Sequence, residues 1–181
     1  IFSFLMKIKI FCDSADFQTI KKLNKNPLVS GFTTNPSLMK LSGAKNYKMY
    51  SLKMLSVCNK KPISLEVFAD KANQMIEQAH KINSWGKNVY VKIPVVNSKG
   101  HFSGKVINQL SDRGIKLNIT AVYTVSQVQK ILKRINKKSK TIISIFSGRM
   151  GDVGKDPIPI IKESVKLAKK VKNTQILWAS T

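Results

Sequence analysis
The sequence predicts a parallel α/β fold built of repeated strand–helix units, and three observations carry that expectation. Short apolar runs rich in β-branched residues alternate with amphipathic stretches, one pair every about 25–35 residues. Capping and helix-breaking residues punctuate the amphipathic stretches at their ends. No low-complexity linker or internal sequence repeat interrupts the pattern, so residues 1–181 read as a single domain.

In chain order, the first strand is expected over Lys7–Cys12 and the first helix over Asp16–Leu23, with Asp16 as a short polar cap. The second strand follows over Val29–Thr33, and a helix over Lys45–Cys58. Ile63–Phe68 is the third strand, and Lys71–Trp85 the next helix, closed by Gly86 as a C-cap would close it. Val89–Ile93 precedes a helix over Phe102–Arg113, which has Ser103 near its start and Gly114 after its end. Leu117–Ala121 precedes a helix over Val125–Ile135, with Ser126 near the start. Thr141–Phe146 is the sixth strand, Ile158–Lys170 a helix for which Pro157 suits the first turn, and Gln175–Ala179 the seventh strand.

Two architectures suit such a chain, a (βα)8 TIM barrel or a doubly wound sheet. A Gly-x-Gly-x-x-Gly turn is absent, which disfavours the dinucleotide-binding sheet. A barrel usually needs ~200–250 residues. With 181 residues and seven strands, the expectation is a barrel truncated at its C-terminal end, its eighth βα unit missing. Met6 opens the first strand pattern, so it is read as the native start and residues 1–5 as non-native.

Composition narrows the function classes. Hydrophobic residues make up 43% of the chain, and no apolar run approaches the ~20 residues of a membrane span. Cys12 and Cys58 form neither a disulfide framework nor a ligand cluster, and read as reduced residues of a cytoplasmic protein. There are 32 Lys+Arg against 9 Asp+Glu, a net charge of +23, which invites a nucleic-acid reading. The distribution argues otherwise. The excess is nearly all lysine on helix faces, and an arginine-rich arm, zinc spacing and an aromatic RNA-binding strand are all lacking. No specific nucleic-acid partner and no membrane partner is expected.

Lys92 is the anomaly. It sits in the β-branched run Val89-Tyr90-Val91-Lys92-Ile93, where an unpartnered ammonium would be costly. A lysine can escape that cost by losing its proton, which makes the amine a nucleophile for carbonyl groups. The plainer alternative is a lysine that snorkels from a strand edge. Strand alternation weighs against it. Asp13, Glu66, Lys92, Asn118 and Thr120 all fall on the faces opposite the apolar sets, toward strand C-terminal ends where barrel active sites lie. Ser144 and Phe146 share a face in the sixth strand. Five buried polar residues would each need a partner, so a shared site is the economical reading. A lysine amine, two carboxylates and a threonine hydroxyl suit Schiff-base cleavage of a C–C bond next to a ketone, with Glu66 or Asp13 moving protons. No metal or cofactor is required. His80 and His101 stand apart in a helix and a loop.

The same residues carry a family resemblance. The segments are Phe11-Cys12-Asp13-Ser14-Ala15-Asp16, Gly31-Phe32-Thr33-Thr34-Asn35-Pro36-Ser37-Leu38, Ser64-Leu65-Glu66-Val67, Val91-Lys92-Ile93-Pro94, Asn118-Ile119-Thr120-Ala121-Val122-Tyr123, Ser144-Ile145-Phe146-Ser147-Gly148-Arg149 and Ala179-Ser180. From Lys7 to Thr181 the chain resembles the transaldolase family in its compact form, which includes the fructose-6-phosphate aldolases. The resemblance implies a (βα)8 barrel and a metal-free Schiff-base mechanism in the pentose phosphate pathway. By position it implies Lys92 as the Schiff-base lysine, Asp13 as the first-strand acid, Glu66 as the proton-transfer glutamate and Thr120 as the holder of a water. It implies Asn35, Asn118 and Ser144 as partners of substrate hydroxyls, and Arg149 and Ser180 as members of a phosphate site. The family has a second arginine after Ser180, whereas this sequence ends at Thr181. Glu66 with Phe146 is the transferase pattern, whereas the aldolase branch carries Gln and Tyr there. The expectation is therefore a transaldolase acting on sugar phosphates, homo-oligomeric when full length. A fructose-6-phosphate aldolase type of aldehyde-lyase is the alternative, and an inactive or binding-only fragment a further one.

Overall fold
The structure, a computed structural model, describes residues 8–180. Residues 1–5, Met6, Lys7 and Thr181 lie outside the described residues. Contacts divide the chain into two compact units, Ile1–Ser64 and Leu65–Thr181.

The first unit carries β1 (Ile10–Asp13), α1 (Phe17–Asn24), β2 (Val29–Thr33), α2 (Pro36–Leu41), α3 (Tyr47–Val57) and the first half of β3 (Ile63–Glu66). β1 pairs in parallel with β2, and β2 in parallel with β3. Each helix starts at a side chain that accepts an otherwise orphaned backbone N–H. Asp16 takes Thr19 N at 2.7 Å, Asn35 takes Leu38 N at 2.8 Å, and Asn46 takes Met49 N at 3.0 Å. Pro36 adds a preset first turn to α2, so Asn35-Pro36 specifies a short helix that the periodicity alone does not reveal. Gly31 is required by packing. A Cβ there would lie 2.4 Å from the Phe11 ring and 2.8 Å from the Pro62 carbonyl oxygen. Ile20, Phe32, Met39 and Met54 are buried.

The second unit continues from the end of β3 through α4 (Ala72–Asn83), β4 (Val89–Pro94), α5 (Gly104–Asp112), β5 (Leu117–Val122), α6 (Val125–Leu132), β6 (Thr141–Ile145), α7 (Ser147–Asp152), α8 (Ile158–Ala168) and β7 (Thr174–Trp178). Strands β4 to β7 pair in parallel in sequence order. Parallel pairing needs a crossover between successive strands; α5 and α6 each supply one, and α7 with α8 makes the connection from β6 to β7. Val91, Ile93, Leu117, Ile119, Ile143 and Ile145 are buried, as are Met75, Ala79, Ile107, Leu110, Val128 and Ile131 on the crossover helices. Each such valine, leucine, isoleucine or methionine side chain contributes about 1.5–3 kcal/mol on leaving water. Helix α6 is capped by Thr124 rather than by Ser126. Thr124 Oγ1 accepts Gln127 N at 3.1 Å, and the Gln127 side chain accepts Thr124 N at 3.1 Å, a capping box. Ser103 stands at the start of α5 without making a side-chain cap. Among the described residues no helix is long and apolar enough to cross a membrane.

Candidate active site
In the second unit, parallel register sorts the polar residues. Lys92 on β4 is the partner of Asn118 on β5, and Pro94 is the partner of Thr120 one step further along. Paired residues in a parallel sheet project to the same face, so Lys92, Asn118 and Thr120 share one. Alternation adds Tyr90 from β4 and Ser144 from β6. These residues also lie toward the strand C-terminal ends.

Lys92 is 8% exposed, and its Nζ lies 3.2 Å from Glu66 Oε2 at the end of β3. An ammonium withdrawn this far from water needs a countercharge, and the glutamate supplies it. The backbone reinforces the pair, since Val67 N donates to the Lys92 carbonyl at 3.2 Å. A carboxylate within hydrogen-bond reach of an amine can accept a proton from it and return one to a bound reactant. Ser144 Oγ donates to Asn118 Oδ1 at 2.7 Å, with both residues buried, which fixes the orientation of the amide. Burial also raises the Tyr90 phenol, so it remains a protonated donor on the Lys92 face at neutral pH.

Thr120 is buried, and its Oγ1 makes no hydrogen bond within the described residues. Leaving a buried hydroxyl unmatched costs about 1–3 kcal/mol, a cost that Thr120 shares with Ser103, Thr141, Ser164 and Thr174. The backbone explains its aim. Ile119 pairs with Ile143 and Val122 with Ile145, so β5 uses one residue more than β6 over the same stretch. The extra residue is Ala121, whose φ of 58° lies in the left-handed region. This bulge lets Thr120 face the lysine while Val122, fully buried, turns into the core with Ile145.

Phe146 follows β6 and meets the Tyr123 ring edge-on, with centroids 5.7 Å apart. Arg149 on α7 is exposed and pairs with Asp152 at 3.5 Å. With Tyr123, Met150, Asp152, Val153 and Lys155 it lines an open concavity of ≈ 420 Å³. Gly148 N donates to the Ala179 carbonyl at 3.0 Å, which brings the start of α7 beside the exposed Ser180. In the first unit, Asp13 at the end of β1 accepts the Thr33 hydroxyl at 2.7 Å. Asn35 caps α2 there. The motif Thr120-Ala121-Val122-Tyr123 singles out Thr120 and is silent on the Tyr123 ring contact and on the Ala121 backbone. The pattern Thr-Ala-Val-Tyr at a strand end could have flagged Tyr123, but alanine gives no sign of a left-handed backbone.

A protein named probable transaldolase from Herpetosiphon aurantiacus is 32% identical over 174 residues, covering 96% of this chain and 74% of that protein. Another from Methanococcus vannielii is 35% identical over 160 residues, covering 88% and 70%. A third from Streptococcus equi subsp. zooepidemicus is 36% identical over 156 residues, covering 86% and 68%. The crystal structure of a dihydrodipicolinate synthase from Rhodopseudomonas palustris aligns with a TM-score of 0.45 and 10% identity, over 97% of this chain and 57% of that one. The family model described as Transaldolase/Fructose-6-phosphate aldolase matches residues 10–181. With its parallel βα units of TIM-barrel class, the chain belongs to the transaldolase/fructose-6-phosphate aldolase family.

Proposed function
We propose that the chain is a transaldolase that carries a dihydroxyacetone unit from a ketose phosphate to an aldose phosphate as a Schiff base on Lys92. The observation that supports this reading is the nearly buried Lys92–Glu66 pair at 3.2 Å, on a face shared with Asn118 and Thr120. The Lys92 amine adds to the ketone carbonyl, and loss of water gives an iminium. A base, Asp13 on the family resemblance, takes the proton of the hydroxyl on the far carbon of the C–C bond to be broken. That C–C bond then cleaves, the aldehyde leaves, and the electron pair passes to the iminium to form an enamine. The enamine attacks the acceptor aldehyde, and hydrolysis releases the new ketose and the free amine. Glu66, with a water held by Thr120, moves the protons of addition and dehydration. Asn35, Asn118 and Ser144 bind substrate hydroxyls, and Arg149 and Ser180 bind the phosphate. The same reading makes the protein a cytoplasmic enzyme of pentose phosphate metabolism and a homo-oligomer, with the whole chain acting as one catalytic domain.

Phe146 favours transfer over simple release. It has no hydroxyl with which to protonate the enamine, so the carbanion equivalent waits for an acceptor. The test is turnover. Fructose 6-phosphate alone should leave a stalled intermediate that borohydride fixes to Lys92, and added erythrose 4-phosphate should discharge it. Combining Glu66→Gln with Phe146→Tyr should shift the balance toward free dihydroxyacetone. Rapid release of dihydroxyacetone by the unmutated chain without acceptor would instead assign it aldehyde-lyase activity. An adduct on another lysine would overturn the mechanism.

A further inference from the structure
We propose, on the Schiff-base reading above, that Gln78 of α4 is a positioning residue that holds Glu66 against Lys92. Glu66 is the last residue of β3, and the segment after it is neither strand nor helix until α4 begins at Ala72. Four successive residues of that segment are tied down. Val67 N donates to the Lys92 carbonyl at 3.2 Å. Phe68 N and Ala69 N both donate to Gln78 Oε1, at 2.8 and 2.9 Å. The Asp70 carboxylate accepts Ser98 N at 2.7 Å and Ser98 Oγ at 2.8 Å, joining the segment to the loop after β4.

Gln78 is the central tie. One carbonyl oxygen with two lone pairs takes two adjacent backbone N–H groups, and only a side chain of this length and shape reaches both. Met75, Ile76, Ala79 and Ile82 bury α4 against the unit, so Oε1 is presented from a rigid helix. Without the acceptor, Phe68 N and Ala69 N must find other partners, and the backbone two residues beyond Glu66 loses its fixed course. A displacement of the order of 1 Å carried back along the chain to Glu66 separates it from the amine, enough to cost about a hundredfold in a step that depends on near-attack geometry.

Two readouts on the full chain test the inference, together with thermal melting to confirm folding. Competitive acetylation of Lys92 across pH needs no sugar. Gln78→Leu should move its midpoint downward, because an ammonium that loses its countercharge gives up its proton more readily. Gln78→Glu keeps two acceptor sites and should show no downward shift. Borohydride trapping with saturating fructose 6-phosphate should be about ten- to a hundredfold slower in Gln78→Leu, with the half-saturating concentration within about threefold, and near the original rate in Gln78→Glu. Should Gln78→Leu fail to fold, Gln78→Asn, one methylene too short to reach both N–H groups, replaces it with the same expectations. An unchanged acetylation midpoint in the Leu or Asn variant, or a Glu variant as slow as either, overturns the assignment. If the unmutated chain traps no sugar on Lys92, the Schiff-base reading fails, and the acetylation midpoints still decide the role of Gln78.

Discussion
Lys92 Nζ lies 3.2 Å from Glu66 Oε2, with side chains 10% and 20% exposed, so removing either charge takes a close countercharge from the other. The lysine is the more deeply buried partner. Glu66→Leu should therefore destabilise the fold by about 3 kcal/mol, and Lys92→Met by less, because the more exposed carboxylate keeps more of its water. Urea denaturation of the two variants checks the order. A Lys92→Met variant less stable than Glu66→Leu would mean that the glutamate is the costlier charge to strand. Lys92→Arg keeps the charge yet should form no borohydride adduct, since a guanidinium stays protonated.

The bulge at Ala121 gives a second prediction. A left-handed conformation costs a non-glycine residue about 1–2 kcal/mol, and glycine removes that cost while adding about 0.4–1 kcal/mol of unfolded-chain freedom. Ala121→Gly should thus raise stability by roughly 0.5–1 kcal/mol. The same change loosens the backbone that aims Thr120, so Schiff-base trapping should slow as the melting temperature rises. Ala121→Val should do the opposite to stability, since a β-branched side chain tolerates φ of 58° poorly. Thermal melts and trapping rates on the three proteins check this.

Acid should unpick two local ties. Hydrogen bonds from Thr19 hold Asp16 below its ordinary 3.8, and hydrogen bonds from Ser98 hold Asp70 below the same value. A carboxyl depressed in the folded state adds stability above its unfolded pKa, and that stability is lost as pH falls from near 3.8 through the depressed value. Asp16→Asn and Asp70→Asn should flatten the fall of melting temperature below pH 4 and leave its shape between pH 5 and 7 unchanged. Melts recorded from pH 2 to 7 decide it.

The net charge of +23 sets the fourth expectation. Lysines spread over solvated faces attract a polyphosphate without reading it. Binding to duplex DNA should be weak, without sequence preference, and lost at moderate salt. Tight binding that persists in such salt, measured by fluorescence anisotropy, would point to a dedicated nucleic-acid surface.

Much of this architecture is legible in the residues. Val29–Thr33 is bounded as the β-branched pattern predicts, and β4 to β7 begin within one residue of expectation. Alternation alone puts Lys92, Asn118 and Thr120 on one face, because a one-residue slip would expose the whole apolar set. What escaped is local and short. The six-residue helices α2 and α7 are too brief to show a period, and only the Asn35-Pro36 cap betrays the first. β3 stops at Glu66 although its apolar run continues to Phe68, because Phe68 N and Ala69 N turn to Gln78 instead of a strand neighbour. The bulge at Ala121 is set by register against β6, a tertiary constraint with no mark in the sequence.

Both tryptophans, Trp85 and Trp178, fall within Leu65–Thr181, and Ile1–Ser64 contains none. Indole emission is therefore an optical probe private to the second unit, whereas far-ultraviolet dichroism sums over both. Superimposed melting curves from the two signals would identify one cooperative folding unit, and a dichroism change displaced from the fluorescence change would time the first unit on its own clock.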